Sequence, residues 1–179
     1  MPLNELVTMK YIASILFIAT LNLNAQTPSK HLSTGDTLPT FSIPDQDGKI
    51  FNTKEQKGKG ILIIFFYPKD NANISTKQVL GFKARFKEFE DEGASIVGIN
   101  PGSQESHKSF HQKNQLPYPL LCDTENKVVN QFGIKSTMGS LNRETYVLDY
   151  TGRIVFHLDS YLEGDKHADE ALKYIKSQD

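Results

Sequence analysis

An α/β fold is predicted by three features of the sequence. Apolar runs of strand length alternate with segments of helical periodicity, which is typical of a layered sheet-and-helix architecture. The run over residues 60–67 is continuously apolar and suits a strand buried on both faces, as in the interior of a parallel sheet. A final strand pair before a C-terminal helix requires antiparallel pairing as well, so we expect a central mixed sheet flanked by helices.

The elements follow in chain order from the same patterns. A turn at Asp47-Gly48 predicts an N-terminal hairpin of residues 41–43 and 49–51. A second turn, over residues 149–152, predicts the last hairpin. Hydrophobic spacing of three and four residues predicts a helix over 76–91, with Val79, Phe82, Phe86 and Phe89 facing the core. The other predicted strands are 60–67, 94–100, 118–122, 144–148 and 153–158, and the other predicted helices are 103–114, 125–132 and 167–178.

The composition is that of one globular domain. The chain has 179 residues and a formal net charge of −1, which excludes a broad basic surface for nucleic acid. Residues 26–36 are polar and aperiodic and are interpreted as a linker, which leaves 37–179 as the domain. Nothing in the sequence indicates a cofactor.

The first 25 residues are interpreted as a secretory signal peptide. Lys10 precedes a short apolar run, and Ala25 is a small residue before a polar segment. Met9 is an alternative start, and an amphipathic helix packed on the domain is the alternative structure. The run is shorter than the roughly 20 residues of a membrane-spanning helix. This interpretation predicts export to a periplasmic or extracellular location.

Cys122 is the only cysteine. No disulfide can form within one chain, and a catalytic cycle that uses two cysteines of one chain is excluded. Cys122 is interpreted as a small buried hydrophobic residue, with a relocated redox thiol as the alternative.

One segment carries the strongest functional signal, Phe65-Phe-Tyr-Pro-Lys-Asp-Asn-Ala-Asn-Ile-Ser-Thr-Lys-Gln-Val-Leu80. It resembles the active-site segment of the peroxiredoxins (AhpC/TSA type), in particular the bacterioferritin comigratory or Q-type subfamily. That family segment is roughly Phe-Tyr-Pro-Lys-Asp-Asn-Thr-Pro-Gly-Cys-Thr-Lys-Glu-Ala-Cys. Further segments match in order over about residues 36–178, including Arg143-Glu-Thr-Tyr-Val-Leu-Asp149. The resemblance implies a thioredoxin-like fold and reduction of hydrogen or organic peroxides with a thioredoxin-like reductant.

Against the family pattern, three residues of the site are replaced and two are retained. The peroxide-attacking cysteine of the family falls on Ser75, its threonine on Ala72, and its usual resolving cysteine on Leu80. Pro68 and Arg143 match the proline and arginine of the family site. Because a serine oxygen cannot take up oxygen as a thiolate sulfur does, we expect the peroxidase reaction to be lost or altered.

Three interpretations of this site stay open at this point. In the first interpretation, Ser75 serves merely as a helix N-cap, and Arg143 is a structural charge paired with Asp70. Alternatively, Ser75 and Arg143 form a non-catalytic pocket for a small anion, or the family-like surface supports a binding module or a homodimer. Lastly, Cys122 carries a separate redox function. No metal set is predicted, because His107 and His111, four residues apart, are interpreted as a solvated helix face.

Overall fold

A computed structural model describes residues 30–178. The strands are β1 (Ser42–Pro44), β2 (Ile50–Asn52), β3 (Ile61–Phe66), β4 (Ala94–Asn100), β5 (Leu120–Cys122), β6 (Ser136–Thr137), β7 (Ser140–Leu141), β8 (Glu144–Leu148) and β9 (Ile154–Asp159). The helices are α1 (Asn73–Ala84), α2 (Phe86–Asp91), α3 (Gln104–Asn114), α4 (Lys127–Phe132) and α5 (Lys166–Lys176). None of the helices in the described part of the chain has the length and apolar character needed to cross a membrane.

The core of the fold is a five-stranded sheet with the order β5-β4-β3-β8-β9. Strands β3, β4 and β5 are parallel, and β8 and β9 add antiparallel pairs at one side. The separate pair β1–β2 is antiparallel. The predicted mixed sheet, flanking helices and N-terminal hairpin are therefore confirmed.

Each face of the sheet has its own hydrophobic cluster. Side chains of β3 alternate between the two faces, so Phe65 joins a cluster with α1, α2 and α5, whereas Phe66 joins one with α4. The rings of Phe65 and Phe82 stack at 4.4 Å, and a Cβ at Gly98 would lie 2.7 Å from the Phe65 ring. A side chain at Gly98 would therefore displace that ring.

One predicted helix is divided in the structure, and one small hairpin was not predicted. The helix predicted over 76–91 begins earlier, at Asn73, and is divided at Arg85 into α1 and α2. Val79, Phe82 and Phe89 are buried as expected, and Phe86 is partly buried against the same cluster. The small hairpin β6–β7 was not predicted, because neither two-residue strand is long enough to show a period.

The described part of the predicted linker, residues 30–36, is held against the domain. The Leu32 N–H donates to the Phe132 carbonyl at 3.0 Å, and the Gly35 N–H donates to the Ile154 carbonyl at 2.8 Å. A Cβ at Gly133 would lie 2.7 Å from Cα of His31, so the two backbones are in close contact. Polarity alone suggested a free linker, but backbone pairing fixes this segment. The predicted signal peptide lies outside the described residues.

Candidate active site

The start of α1 brings Ser75 against Arg143. Ser75 is fully buried, and its Oγ accepts a hydrogen bond of 3.4 Å from Nη2 of Arg143. Helix α1 begins at Asn73, and its N-cap Ala72 provides no capping side chain. The N–H groups of the first turn have no intrahelical acceptor, so both the helix end and the guanidinium make this place electropositive.

The interpretation of Ser75 as the N-cap is wrong. Ser75 lies inside the first turn of α1, and its hydroxyl contacts Arg143 rather than a backbone N–H. Thr76, the next residue, is further inside the helix, because its N–H donates to the Ala72 carbonyl at 2.8 Å. The contact with Arg143, rather than helix capping, therefore determines where the Ser75 side chain lies.

Arg143 is a buried cation without an anion. Nη1 donates to the Tyr161 carbonyl, and the guanidinium lies 5.4 Å from the Tyr161 ring centroid. Nε has no hydrogen-bond partner, and no carboxylate of residues 30–178 forms an ion pair with this side chain. Burial lowers the pKa of Arg143, and Tyr161 partly opposes that shift. Such a group favours an anionic ligand.

The loop after β9 closes the site from the outside. A Cβ at Gly164 would overlap the carbonyl oxygen of Ile74, so this loop lies directly on the first turn of α1. An open cleft of about 660 Å³ is lined by Pro68 and Lys69 but not by Ser75 or Arg143. Ala72 and Pro68 are only partly buried, so the loop before α1 is accessible while Ser75 and Arg143 are covered.

Asp70 belongs to a different network, which sequence reasoning missed. Its carboxylate accepts hydrogen bonds from Tyr67 Oη at 2.9 Å, Asn100 Nδ2 at 3.0 Å and Ser106 Oγ at 2.6 Å. His107 Nδ1 lies 2.9 Å from Asp70 Oδ2. Burial would raise the pKa of Asp70, but the hydrogen bonds, led by that of His107, hold it below its usual range. The expected Arg143–Asp70 pair is wrong, because His107 and its neighbours occupy this carboxylate.

His107 also corrects the prediction of a solvated helix face. It is fully buried, and its Nε2 lies 3.2 Å from the Leu121 carbonyl. Both ring nitrogens of His107 therefore lie within hydrogen-bonding distance of a protein oxygen. A polar helix with few apolar residues gave no signal that one histidine faces inward.

Cys122 ends β5 beside this network and is buried and free. Burial, and then the negative charges of Asp45 and Asp70, raise the pKa of its thiol to about 11. A protonated, covered thiol is a poor nucleophile. Leu80, at the position of the usual resolving cysteine, is 39% exposed on α1.

A second cluster of polar side chains lies across the sheet from Ser75. It consists of His31, Glu144 and His157. The Nε2 atoms of the two histidines and Oε2 of Glu144 all lie within 4.8 Å of one another. Only the pairing of β8 with β9 gave a sequence signal, since it places Glu144 and His157 two positions apart along one face. Nothing in the sequence could place His31 there.

Comparisons with known proteins show the family to which the chain belongs. The AhpC/TSA family profile matches residues 34–157. The chain belongs to the AhpC/TSA family. Its relatives include the chloroplastic peroxiredoxin Q of Suaeda salsa, 39% identical over 148 residues that cover 82% of this chain and 69% of the relative. The corresponding protein of Sedum lineare is 40% identical over 145 residues, covering 80% and 77%.

Solved structures of peroxiredoxins confirm the thioredoxin-like fold. Peroxidoxin BcpB of Mycobacterium tuberculosis superposes with a TM-score of 0.77 at 32% identity, covering 82% of this chain and 98% of that one. A cysteine-to-serine mutant of Xylella fastidiosa PrxQ gives 0.76 at 27% identity, covering 84% and 99%. The resemblance to the Q-type peroxiredoxins is thus confirmed over most of the chain.

The comparisons correct the predicted location. The relatives from Suaeda salsa, Sedum lineare and Gentiana triflora are all named as chloroplastic. This finding contradicts the prediction of a periplasmic or extracellular protein. The prediction depended on the composition of the first 25 residues alone. Composition does not specify the compartment to which a targeting segment directs a protein.

Proposed function

We propose that this peroxiredoxin has lost the ordinary cysteine-based reduction of peroxides. Peroxiredoxins act on peroxides with thioredoxin-like reductants. In that reaction a thiolate attacks the O–O bond, sulfur is oxidised to a sulfenic acid, and the peroxide leaves as alcohol or water. The observation that carries the proposal is a hydroxyl, that of Ser75, in the buried position beside Arg143.

The surroundings of Ser75 do not compensate for the missing sulfur. A helix N-terminus stabilises a negative charge by about 0.3–1 kcal/mol, which is less than one pKa unit. Such a shift leaves a serine hydroxyl protonated, and oxygen has no oxidation state equivalent to sulfenic acid. Ala72 also lacks the hydroxyl that the resemblance assigns to this position.

Binding of a small anion is the second candidate function. It is favoured by one observation, the buried guanidinium of Arg143 with an unpartnered Nε and no carboxylate among residues 30–178. In this function Ser75 and the first turn of α1 would donate hydrogen bonds without any reaction. A protein partner or a homodimer using the same family surface belongs to this non-catalytic proposal.

A redox function of Cys122 is the third candidate. The buried position and raised pKa of the thiol count against it at neutral pH. It is retained here only because a thiol is the one group of this chain with the required chemistry.

Peroxide consumption by three forms of the full chain separates these functions. Hydrogen peroxide and a small dithiol are supplied to the native protein, to Ser75→Cys and to Cys122→Ser. We expect no turnover above background in the native protein and in Cys122→Ser. In Ser75→Cys we expect dithiol-dependent turnover, because the dithiol reduces the sulfenic acid back to the thiol and forms its own disulfide. Fast turnover that survives Cys122→Ser would contradict the proposal. Turnover lost only in Cys122→Ser would instead support the redox function of that residue.

The anion function has its own measurement. The temperature of unfolding is compared in phosphate and in chloride at equal ionic strength, for the native chain and for Arg143→Met. A phosphate-dependent increase that disappears in Arg143→Met supports binding at this site. An equal increase in both forms would show binding elsewhere.

A further inference from the structure

We infer that His31, Glu144 and His157 form a binding site for a divalent transition-metal ion of the Zn²⁺ class. The two imidazole Nε2 atoms lie 2.8 Å and 2.9 Å from the same atom, Glu144 Oε2. Two histidine nitrogens and one carboxylate oxygen are a donor set that suits Zn²⁺ and its first-row neighbours, and does not suit Mg²⁺ or Ca²⁺.

The three ligands are positioned by separate parts of the fold. Glu144 starts β8 and His157 lies in β9, where Tyr146 pairs with His157 and Glu144 pairs with Asp159. His31 comes from the N-terminal segment, whose backbone is fixed against Phe132 and Gly133. The site is therefore held by backbone contacts that do not depend on the metal.

The two oxygens of the Glu144 carboxylate differ in their hydrogen bonds. Oε2 faces both imidazoles and also accepts a hydrogen bond of 2.6 Å from Tyr146 Oη. Oε1 is equally buried but has no partner within the described chain. A metal bound between the three side chains gives Oε1 a role as a second ligand atom, or lets the carboxylate rotate so that both oxygens are used. Tyr146 would then orient the carboxylate from behind.

The local charge also favours a cation. Glu144 is fully buried, and its only ion-pair partners among residues 30–178 are His31 and His157. Asp159 pairs with Glu144 in the register of β8 and β9, which brings a second carboxylate close to the cluster. Two carboxylates thus lie near two imidazoles, and no lysine or arginine of residues 30–178 forms an ion pair with either carboxylate. A divalent ion would neutralise this excess and would hold the imidazoles in their neutral form.

The distances need only a small adjustment. Metal bonds of about 2.0–2.1 Å in a tetrahedron separate neighbouring ligand atoms by about 3.3 Å. The nitrogen–oxygen distances must therefore lengthen by about 0.5 Å. The His31 side chain is 32% exposed and that of His157 is 15% exposed, so the ring of His31 has room to move. The same exposure leaves a path for the ion and a position for a water ligand.

The test is a titration of the full-length protein, stripped of metal, with Zn²⁺ against a chromophoric chelator. We expect one ion per chain in the native protein. Since loss of an outer partner typically weakens a metal site about 10–100-fold, loss of a direct ligand in His31→Gln or His157→Gln should weaken it at least tenfold. Co²⁺ in place of Zn²⁺ should give the visible absorption of a four-coordinate ion, and His157→Gln should remove it.

Two control variants keep the result decisive. His111→Gln removes a histidine outside the cluster, and Cys122→Ser removes the thiol, so neither should change the affinity. His31→Gln lies on the N-terminal segment, and a cooperative unfolding curve measured without metal will show that it folds. The inference is overturned if no saturable one-to-one binding is seen, if binding persists in both His31→Gln and His157→Gln, or if it is lost in Cys122→Ser.

Discussion

Arg143 and Glu144 are neighbours in the chain, yet they belong to opposite faces of the sheet and to opposite electrostatic surroundings. Arg143 contacts Ser75 of α1, on the face of the first hydrophobic cluster. Glu144 contacts Tyr146, whose ring belongs to the second cluster. One side has a buried cation with no ion-pair partner in the described part of the chain, and the other has a buried anion among imidazoles. Strand alternation thus lets two consecutive residues form two sites of opposite charge.

The largest expected effect comes from removing the anion. In Glu144→Leu, the two histidines and Tyr146 lose their shared acceptor. Hydrogen bonds to a charged group contribute about 1.5–3 kcal/mol each, so the loss of two or more should cost about 3–5 kcal/mol. The free energy of unfolding, measured by urea denaturation with a chelator present, should fall by this amount. Asp159→Asn, which alters the exposed carboxylate opposite Glu144, is the matched control and should change it by less than about 1 kcal/mol. A loss below 1 kcal/mol in Glu144→Leu would remove the energetic contrast between the two faces.

The second effect is a pH dependence on the Arg143 side. Burial lowers the pKa of His167 to about 4, and the charge of Arg143 contributes in the same direction. Its Nε2–H donates to the Ser160 carbonyl at 3.1 Å, so Nδ1 accepts from the Thr145 hydroxyl at 2.8 Å in the neutral ring.

Since the pKa of His167 is lower in the folded state than the unfolded value of about 6.5, its contribution is complete above pH 6.5. It is lost as the pH falls towards 4, and the total is about 3 kcal/mol. The difference in unfolding free energy between the native chain and His167→Gln should therefore shrink by about this amount between pH 7 and pH 4. A constant difference across that range would show that His167 does not titrate as its burial requires.

A smaller effect is expected from removing the cation. Arg143→Met relieves the desolvation of a buried charge and leaves no charged partner behind, so the free energy of unfolding should change by about 1 kcal/mol or less, in either direction. Urea denaturation of Arg143→Met and Glu144→Leu under the same conditions compares their free energies of unfolding directly. A loss as large as that of Glu144→Leu would mean that Arg143 has an ionic partner outside residues 30–178.

The smallest effect tests the contact between Ser75 and Arg143. The hydrogen bond is long, at 3.4 Å, so Ser75→Ala should cost only about 0.5 kcal/mol. In the Arg143→Met background this cost should disappear, which a double-mutant cycle on the unfolding free energy measures. Additive effects would show that the hydroxyl and the guanidinium do not interact in solution.

Periodicity predicted the layers of this fold well, because each face of the sheet requires a regular apolar pattern. The continuous run of β3 and the spacing of Val79, Phe82 and Phe89 are direct consequences of burial. The break at Arg85 was invisible, since apolar spacing continues through it.

The candidate site was predictable only in part. Arg143 and Ser75 were brought together by a resemblance over the whole domain, and the structure places them in contact. His107 and His31 were missed because their partners, Asp70 and Glu144, lie 37 and 113 residues away. No local pattern reports such long-range polar contacts, whereas apolar burial leaves a period in every element.

The close contact of Gly164 with the first turn of α1 has a consequence for kinetics. Under the anion-binding proposal, if a ligand enters past the loop that contains Gly164, the observed binding rate would be limited by the opening of that loop. At high ligand concentration the rate should reach a plateau, and ligands of different size should share it. In that case the loop would set how fast a ligand enters, and Arg143 would set which charge the ligand carries.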